Sequence, residues 1–307
     1  MRHSSHKVNG ISGNPYVLPT FLGVVPKQTD FYPQLFPMRR RTRHQRLMAR
    51  RRKRRLNPMT TGVRRYASWH EVVDEPVRRW ETPTGGVSVI LSFGPAMRVR
   101  SASASGPTTV TSFVVGMYDE PALLEHDGVG LGVQVDLTAA GAFALLGVTM
   151  DELANRVVPA ADVCRLNVDG LVDRLLGVAS WPERMAILDE TLSRSMSSGP
   201  RLSPEVAWVD AQLRAHPETA RIGDLAEEIG WGRSRLVDRF RREVGLPPKT
   251  VARVLRYRQA AGRLTSRPSC SLADVATASG YADQAHFNRD FRAFASMTPT
   301  EFLASLG

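Results

Sequence analysis

One stretch of this chain occurs twice near its C-terminal end, and that duplication limits the fold more than any other feature. Asp224-Leu225-Ala226-x-x-x-Gly230-Trp231 returns as Asp274-Val275-Ala276-x-x-x-Gly280-Tyr281 at an offset of 50. Each copy then reaches two apolar residues four apart, Leu236/Phe240 and Phe287/Phe291, and closes on a proline, Pro248 or Pro299, now at an offset of 51. The second copy therefore carries one extra residue in its second turn. A repeat of this kind marks a supersecondary unit. A short apolar helix, a glycine stop and a second amphipathic run make helix, tight turn, helix.

The side chains of each copy sort onto two faces. Leu225, Ala226 and Ile229 form one apolar face, and Gly230 ends that helix where a left-handed residue is needed. Leu236, Phe240 and Val244 follow at i, i+4, i+8 and are expected in the core. That turns Arg233, Ser234, Val237, Asp238 and Arg241 outward. In the second copy Phe287, Phe291 and Phe294 point inward, whereas Gln284, Ala285, Asn288, Arg289 and Arg292 point outward with His286 beside them. Asp283 is placed to cap this helix, and Gly232 is a weaker cap for the first.

The outward set suits the edges of base pairs. Arginine pairs with guanine, and Gln or Asn with adenine, each worth about 1–3 kcal/mol of discrimination. Asp238 suits cytosine and Val237 a thymine methyl, while Arg241, Arg242 and Lys249 suit phosphates, which position without specifying. Between the copies, Val251, Val254, Leu255 and Leu264 stripe a helix of about fifteen residues, or about 22 Å. A spacer of that size sets two reading helices toward successive major grooves, about 34 Å apart.

Residues 204–307 resemble the paired helix-turn-helix domain of AraC/XylS-family transcriptional regulators. The likeness rests on Ala276-x-x-x-Gly280-Tyr281-x-Asp283-Gln284-Ala285-His286-Phe287-Asn288-Arg289-x-Phe291-Arg292 and on Thr298-Pro299-x-x-Phe302. It implies seven helices, with base reading by Ser234, Val237 and Asp238 in the first unit and Gln284, His286, Asn288 and Arg289 in the second. Two positions depart from the family pattern: Ala285 stands where serine is usual, and Ser296 where glycine is usual. The latter predicts strain in the turn before Pro299.

Charge is unevenly spread. Residues 1–60 hold fourteen basic residues against Asp30, so the rest of the +11 chain sums to −2. Arg39 to Arg55 alone carry eleven cations, and residues 1 to about 60 read as a disordered Arg-rich tail. That tail is either a nucleic-acid-binding arm or a plain extension, with Met59 at the start of domain-like sequence. It has no apolar core of a signal peptide. No run approaches 18 apolar residues, so no membrane span is expected, and Cys164 and Cys270 suit a reducing cytoplasm.

Residues 66–200 read as α+β. Strands are expected at 87–93, 111–115 and 132–137, then a helix capped by Thr149, one over 171–176 and one over 181–196 that serves as a dimer seam or ordinary core. Gly85-Gly86 and Gly128-x-Gly130-x-Gly132 read as turns, Glu71, Asp74 and Glu75 as a solvated face, and His70 and His126 as isolated. Residues 195–200 read as a linker. Family members often carry an N-terminal sensing or dimerising domain with a small β-barrel and helices. The resemblance thus implies an α+β effector-binding or dimerisation domain before an all-α domain of two helix-turn-helix units.

The expectation is a sequence-specific, non-enzymatic regulator in the cytoplasm, associated with the nucleoid and without metal or cofactor. Its expected partners are promoter or operator DNA, a small-molecule effector, a second copy of the chain, and RNA polymerase if it activates. Two alternatives stand beside it. One is a non-specific nucleic-acid binder acting through the tail. The other is an enzyme or metabolite-binding protein whose active domain is 66–200, for which the sequence supplies no clustered nucleophile, base or metal ligands.

Overall fold

The structure, a computed structural model, describes residues 52–56 (backbone only) and 59–305. The N-terminal region contains ten strands: β1 (Arg52–Leu56), β2 (Val63–Val72), β3 (Val77–Glu81), β4 (Ser88–Ser92), β5 (Met97–Ser101), β6 (Thr108–Val110), β7 (Phe113–Val115), β8 (Ala122–His126), β9 (Val129–Leu137) and β10 (Val157–Pro159). Helices α1 (Ala139–Leu145), α2 (Ala160–Val163), α3 (Val168–Leu176) and α4 (Trp181–Ser197) accompany them. The C-terminal region is all helix: α5 (Pro204–Ala215), α6 (Ile222–Glu228), α7 (Arg233–Val244), α8 (Pro248–Ser266), α9 (Leu272–Ala278), α10 (Gln284–Ala295) and α11 (Pro299–Ala304).

The strands form two antiparallel sheets, ordered β1-β2-β9-β4-β7-β10 and β3-β8-β5-β6. Strand β4 explains the layering, because all five of its residues are buried. Ile90 faces the second sheet with Trp69, Met97, Phe113 and Leu124. Its neighbours Val89 and Leu91 face the helices, with Tyr66, Val135, Leu145, Leu171 and Leu188. A strand covered on both faces reads as a continuous apolar run rather than an alternating one. The α+β expectation thus holds, with two sheets and a helical layer.

Several expectations change. Residues 52–56, which the sequence assigns to the tail, form β1 and pair with β2 in register Arg52↔His70 to Leu56↔Tyr66; the expectation for residues 1–51 lies outside the described residues. The three expected strands are joined by seven others; β1–β2 and β5–β6 pair as neighbours in sequence, whereas β3–β8, β5–β8, β2–β9 and β10–β7 pair over long separations. Gly128 sits in a turn at φ +87, but Gly130 and Gly132 lie inside β9. A Cβ on Gly132 would come 2.5 Å from the Trp69 ring, so glycine makes room for the indole there. Glu71 is buried, not solvated, as its carboxylate pairs with Arg79 at 2.8 Å. Nor is His126 isolated: it is buried 3.3 Å from the same carboxylate.

On the helical side, the expected helix after Thr149 is a single 3-10 turn, Met150–Leu153. Thr149 hydroxyl donates to Glu152 rather than accepting from the backbone. Helix α4 lays Trp181, Leu188 and Leu192 into the core with Met185 and Ile187 packed against them, so its apolar stripe is core. That helix continues through Ser197, which shortens the linker to the few residues before Pro204. Gly199 approaches Ala144 so closely that a Cβ would meet its carbonyl at 1.9 Å. Burial alone lifts the Cys164 thiol to about 12, which makes it inert at neutral pH.

Candidate nucleic-acid interface

The seven C-terminal helices fall where the sequence places them. Gly230 and Gly280 end α6 and α9 with φ of +69 and +74. Leu236, Phe240 and Val244 pack with Val206, Val209 and Leu213 of α5, while Phe287, Phe291 and Phe294 pack with Tyr257 and Phe302. Helix α8 spans 19 residues, about 28 Å. It contributes Val251 and Ala252 to the first core and Val254, Tyr257, Ala261 and Leu264 to the second. One rigid rod therefore carries both units.

The candidate reading residues divide by accessibility. On α7, Arg233, Ser234, Asp238 and Arg241 are exposed and Val237 is half-buried. On α10, Gln284, Arg289 and Arg292 are exposed, whereas His286 and Asn288 are half-buried. The Asp283 side chain accepts from His286 N–H at 2.6 Å, so α10 is capped without the missing serine at 285. Gly232 gives α7 no side-chain cap. The Asn288 Oδ1 is buried without a hydrogen-bond partner. His286 packs edge-on to Tyr281 at 5.2 Å and lies 3.8 Å from Asp290.

Two features lay beyond sequence reasoning. Asp290, nearly buried, accepts from Arg253 of α8 at 2.7 Å and so ties the spacer to the second reading helix. That hydrogen bond is the leading cause raising the Arg253 guanidinium above its ordinary value. Arg235 stacks over Trp231 at 4.4 Å, a pairing visible in the sequence only as an i, i+4 spacing.

Arg241 is the exception among the candidates. Its guanidinium lies 3.4 Å from Asp151 in the 3-10 turn of the N-terminal region. The two regions meet along a seam there. Met117 and Ala139 join the first helical core. Arg214 Nη1 donates to Gly85 carbonyl at 2.9 Å, and Arg258 Nη1 donates to Thr84 carbonyl. Desolvation by the surrounding protein, then the charges of Arg214 and Arg258, lower the nearby Arg64 to about 10.

A cavity of about 90 Å³ opens between the two sheets. Trp69, Ile90, Phe113 and Tyr118 give it apolar walls, and Thr82, Pro83 and Thr84 of the seam loop line it too. Among the described residues no group of three or more His, Cys, Asp or Glu is arranged to hold a metal, and no helix is long and apolar enough to cross a membrane.

The fold thus consists of two sheets with helices, a seam, and two helix-turn-helix units on one rod. Residues 225–305 match the family model of a helix-turn-helix domain. The whole fold is similar to ToxT from Vibrio cholerae, at 8% identity over 80% of this chain and 99% of that one, with a TM-score of 0.50. The DNA-binding domain of AdpA, the global transcriptional factor, in complex with a target DNA, is 26% identical over 34% of this chain and 93% of that one, with a TM-score of 0.31. An AraC-type DNA-binding-domain regulator from Chromobacterium violaceum is 25% identical over 34% and 93%, with a TM-score of 0.31. No curated protein matches the sequence. The C-terminal region is a helix-turn-helix domain of the AraC type.

Proposed function

We propose that this protein is a sequence-specific transcription regulator. It reads two successive major grooves with α7 and α10 and responds to a small molecule through its N-terminal region. The observation that carries this reading is the rod α8, whose buried residues enter the cores of both units. A shared rigid support fixes the spacing of two reading helices, which is what paired groove binding requires. The second unit presents Gln284 and Arg289 to solvent, side chains that pair with adenine and guanine. The first presents Arg233, Ser234 and Asp238, a mixed set. The cavity between the sheets shares a loop with the seam, which supports effector control. A homodimer, and RNA polymerase contact if the protein activates, belong to the same reading.

The test is a gel shift of the full chain on its own promoter DNA against unrelated competitor at about 150 mM salt, where non-specific binding is weak. Retention of a discrete fragment supports the reading; equal loss of all fragments sinks it. Removing residues 1–51 distinguishes the tail-driven alternative. That deletion stops short of β1, so the sheet keeps its edge strand. Specific binding persists if the helices carry it and disappears if the tail does.

A further inference from the structure

We infer that the seam between the two regions carries a binding site for a compact dianion, phosphate or a phosphate monoester, held by Arg64, Arg214 and Arg258. The inference goes beyond the regulatory reading and stands whether or not the N-terminal region responds to an effector. The three arginines belong to β2, α5 and α8, so both regions supply the site. Their placement is the first support. All three meet the turn Thr84-Gly85-Gly86. Arg258 Nη1 donates to the Thr84 carbonyl, and Arg214 Nη1 donates to the Gly85 carbonyl at 2.9 Å. The Arg64 guanidinium lies over Gly86, where a Cβ would come 3.3 Å from Nη1. Three consecutive Cα atoms span at most about 7.6 Å, so the guanidiniums gather around one short turn.

The second support is positive charge that the protein leaves unmatched. Asp136 is committed: Oδ2 accepts from Arg65 Nε at 2.8 Å, and Oδ1 accepts from Ser88 at 2.7 Å and Gln134 at 2.6 Å. Asp210 accepts from Arg214 Nε at 2.7 Å. Glu81, three residues before the turn, accepts from Arg79 Nε at 2.8 Å. With these pairs matched, Arg64 and Arg258 leave an excess of two positive charges, and neither forms an ion pair among the described residues. Arg214 Nη2 is buried without a hydrogen-bond partner, and an orphaned donor of that kind marks a missing acceptor. Desolvation and then the charges of Arg214 and Arg258 lower Arg64 to about 10, so it is still cationic at neutral pH. The third support is access and shape. Arg64 is exposed, and Arg214 and Arg258 are half-buried. A tetrahedral phosphate offers an oxygen to each of three guanidiniums, whose planar forks suit it. A monocarboxylate offers two oxygens and half the charge.

The test titrates the full chain, without DNA and at constant ionic strength, with inorganic phosphate, ethyl phosphate, acetate and hexanoate. A pH of about 7.5 keeps phosphate monoesters largely dianionic. Saturable calorimetric binding and a raised thermal midpoint with either phosphate, and binding of both monocarboxylates weaker by roughly tenfold or more, support the site. Equal binding of all four probes, or no binding of either phosphate, overturns it. Ethyl phosphate binding more tightly than inorganic phosphate assigns the site to a monoester; otherwise the free ion is the ligand. Arg64→Gln and Arg258→Gln should each weaken phosphate binding roughly tenfold, because each removes a charged hydrogen bond. Arg194→Gln, on α4 and outside the cluster, should leave it unchanged. Unchanged affinity in Arg64→Gln, or an equal loss in Arg194→Gln, places the bound phosphate on arginines elsewhere and overturns the assignment. Arg64→Gln should also keep the thermal midpoint of the free protein at or above that of the parent, because the charge it removes is repelled by its neighbours. A lower midpoint with undiminished phosphate affinity makes Arg64 a purely structural residue.

Discussion

Arg241 on the first reading helix and Asp151 in the N-terminal region, ninety positions apart, pair at 3.4 Å. The cation that the helical pattern offers to DNA phosphate is therefore already engaged within the molecule. The pair is open to water, with side chains 56% and 23% exposed, so it is worth at most about 1 kcal/mol. Asp151→Asn should raise affinity for all DNA sequences alike, by no more than about fivefold. Arg241→Ala should lower affinity equally on all sequences. Titrations on specific and random duplexes check both; a sequence-dependent change from either variant would reassign Arg241.

Arg289 is exposed on α10 with no ion pair among the described residues. Arg289→Ala should relax specificity at one position of the site and cost about 1–3 kcal/mol there, with little change on random DNA. Selection from randomised duplexes shows whether one base preference disappears. Uniform loss across all sequences would make Arg289 a phosphate contact.

Ser296 closes α10 in the left-handed region, at φ 57 and ψ 17. A side chain there costs about 1–2 kcal/mol, partly offset because glycine loses more freedom on folding. The position is exposed, so no packing is lost. Ser296→Gly should stabilise the protein by about 1 kcal/mol, read as a higher urea midpoint at constant slope.

Thr298 and Glu301 form a reciprocal capping box on α11. The hydrogen bonds that Glu301 accepts from Thr298 N–H at 2.7 Å and hydroxyl at 2.9 Å lower its carboxyl below 4.5. A depressed carboxyl contributes stability that is complete above its unfolded value and is lost as pH falls through its folded one. The contribution of the box should thus be intact above pH 4.5 and vanish below it. Glu301→Ala should lower the thermal midpoint at neutral pH and converge on the parent in acid. A constant difference across that range would contradict the assignment.

The legibility of the two halves differs for a physical reason. Helices α5 to α11 were readable because their determinants are local. Apolar residues recur three or four apart, Asp283 and Thr298 cap, and Gly230 and Gly280 stop. The buried faces built on Phe240 and Phe291 follow from the same spacing, and so do the exposed positions of Arg233, Gln284 and Arg289. The same spacing places Asn288 outward with His286 beside it, whereas both are half-buried.

The sequence by itself determined the repeat, its helices and which of their faces meet solvent, since each depends on residues within a turn or two. Only the tertiary structure decided what depends on distant strands and on the meeting of two regions. Glu71 is buried because β3 brings Arg79 to it. Gly132 is a strand residue because Trp69 lies across from it. Arg241 is held by Asp151 because α7 docks on the 3-10 turn. The cavity exists because two sheets stack with Trp69 and Phe113 between them. Pairings over such separations leave no periodic mark in the chain, so the first domain and its charge balance emerge only once the sheets are assembled.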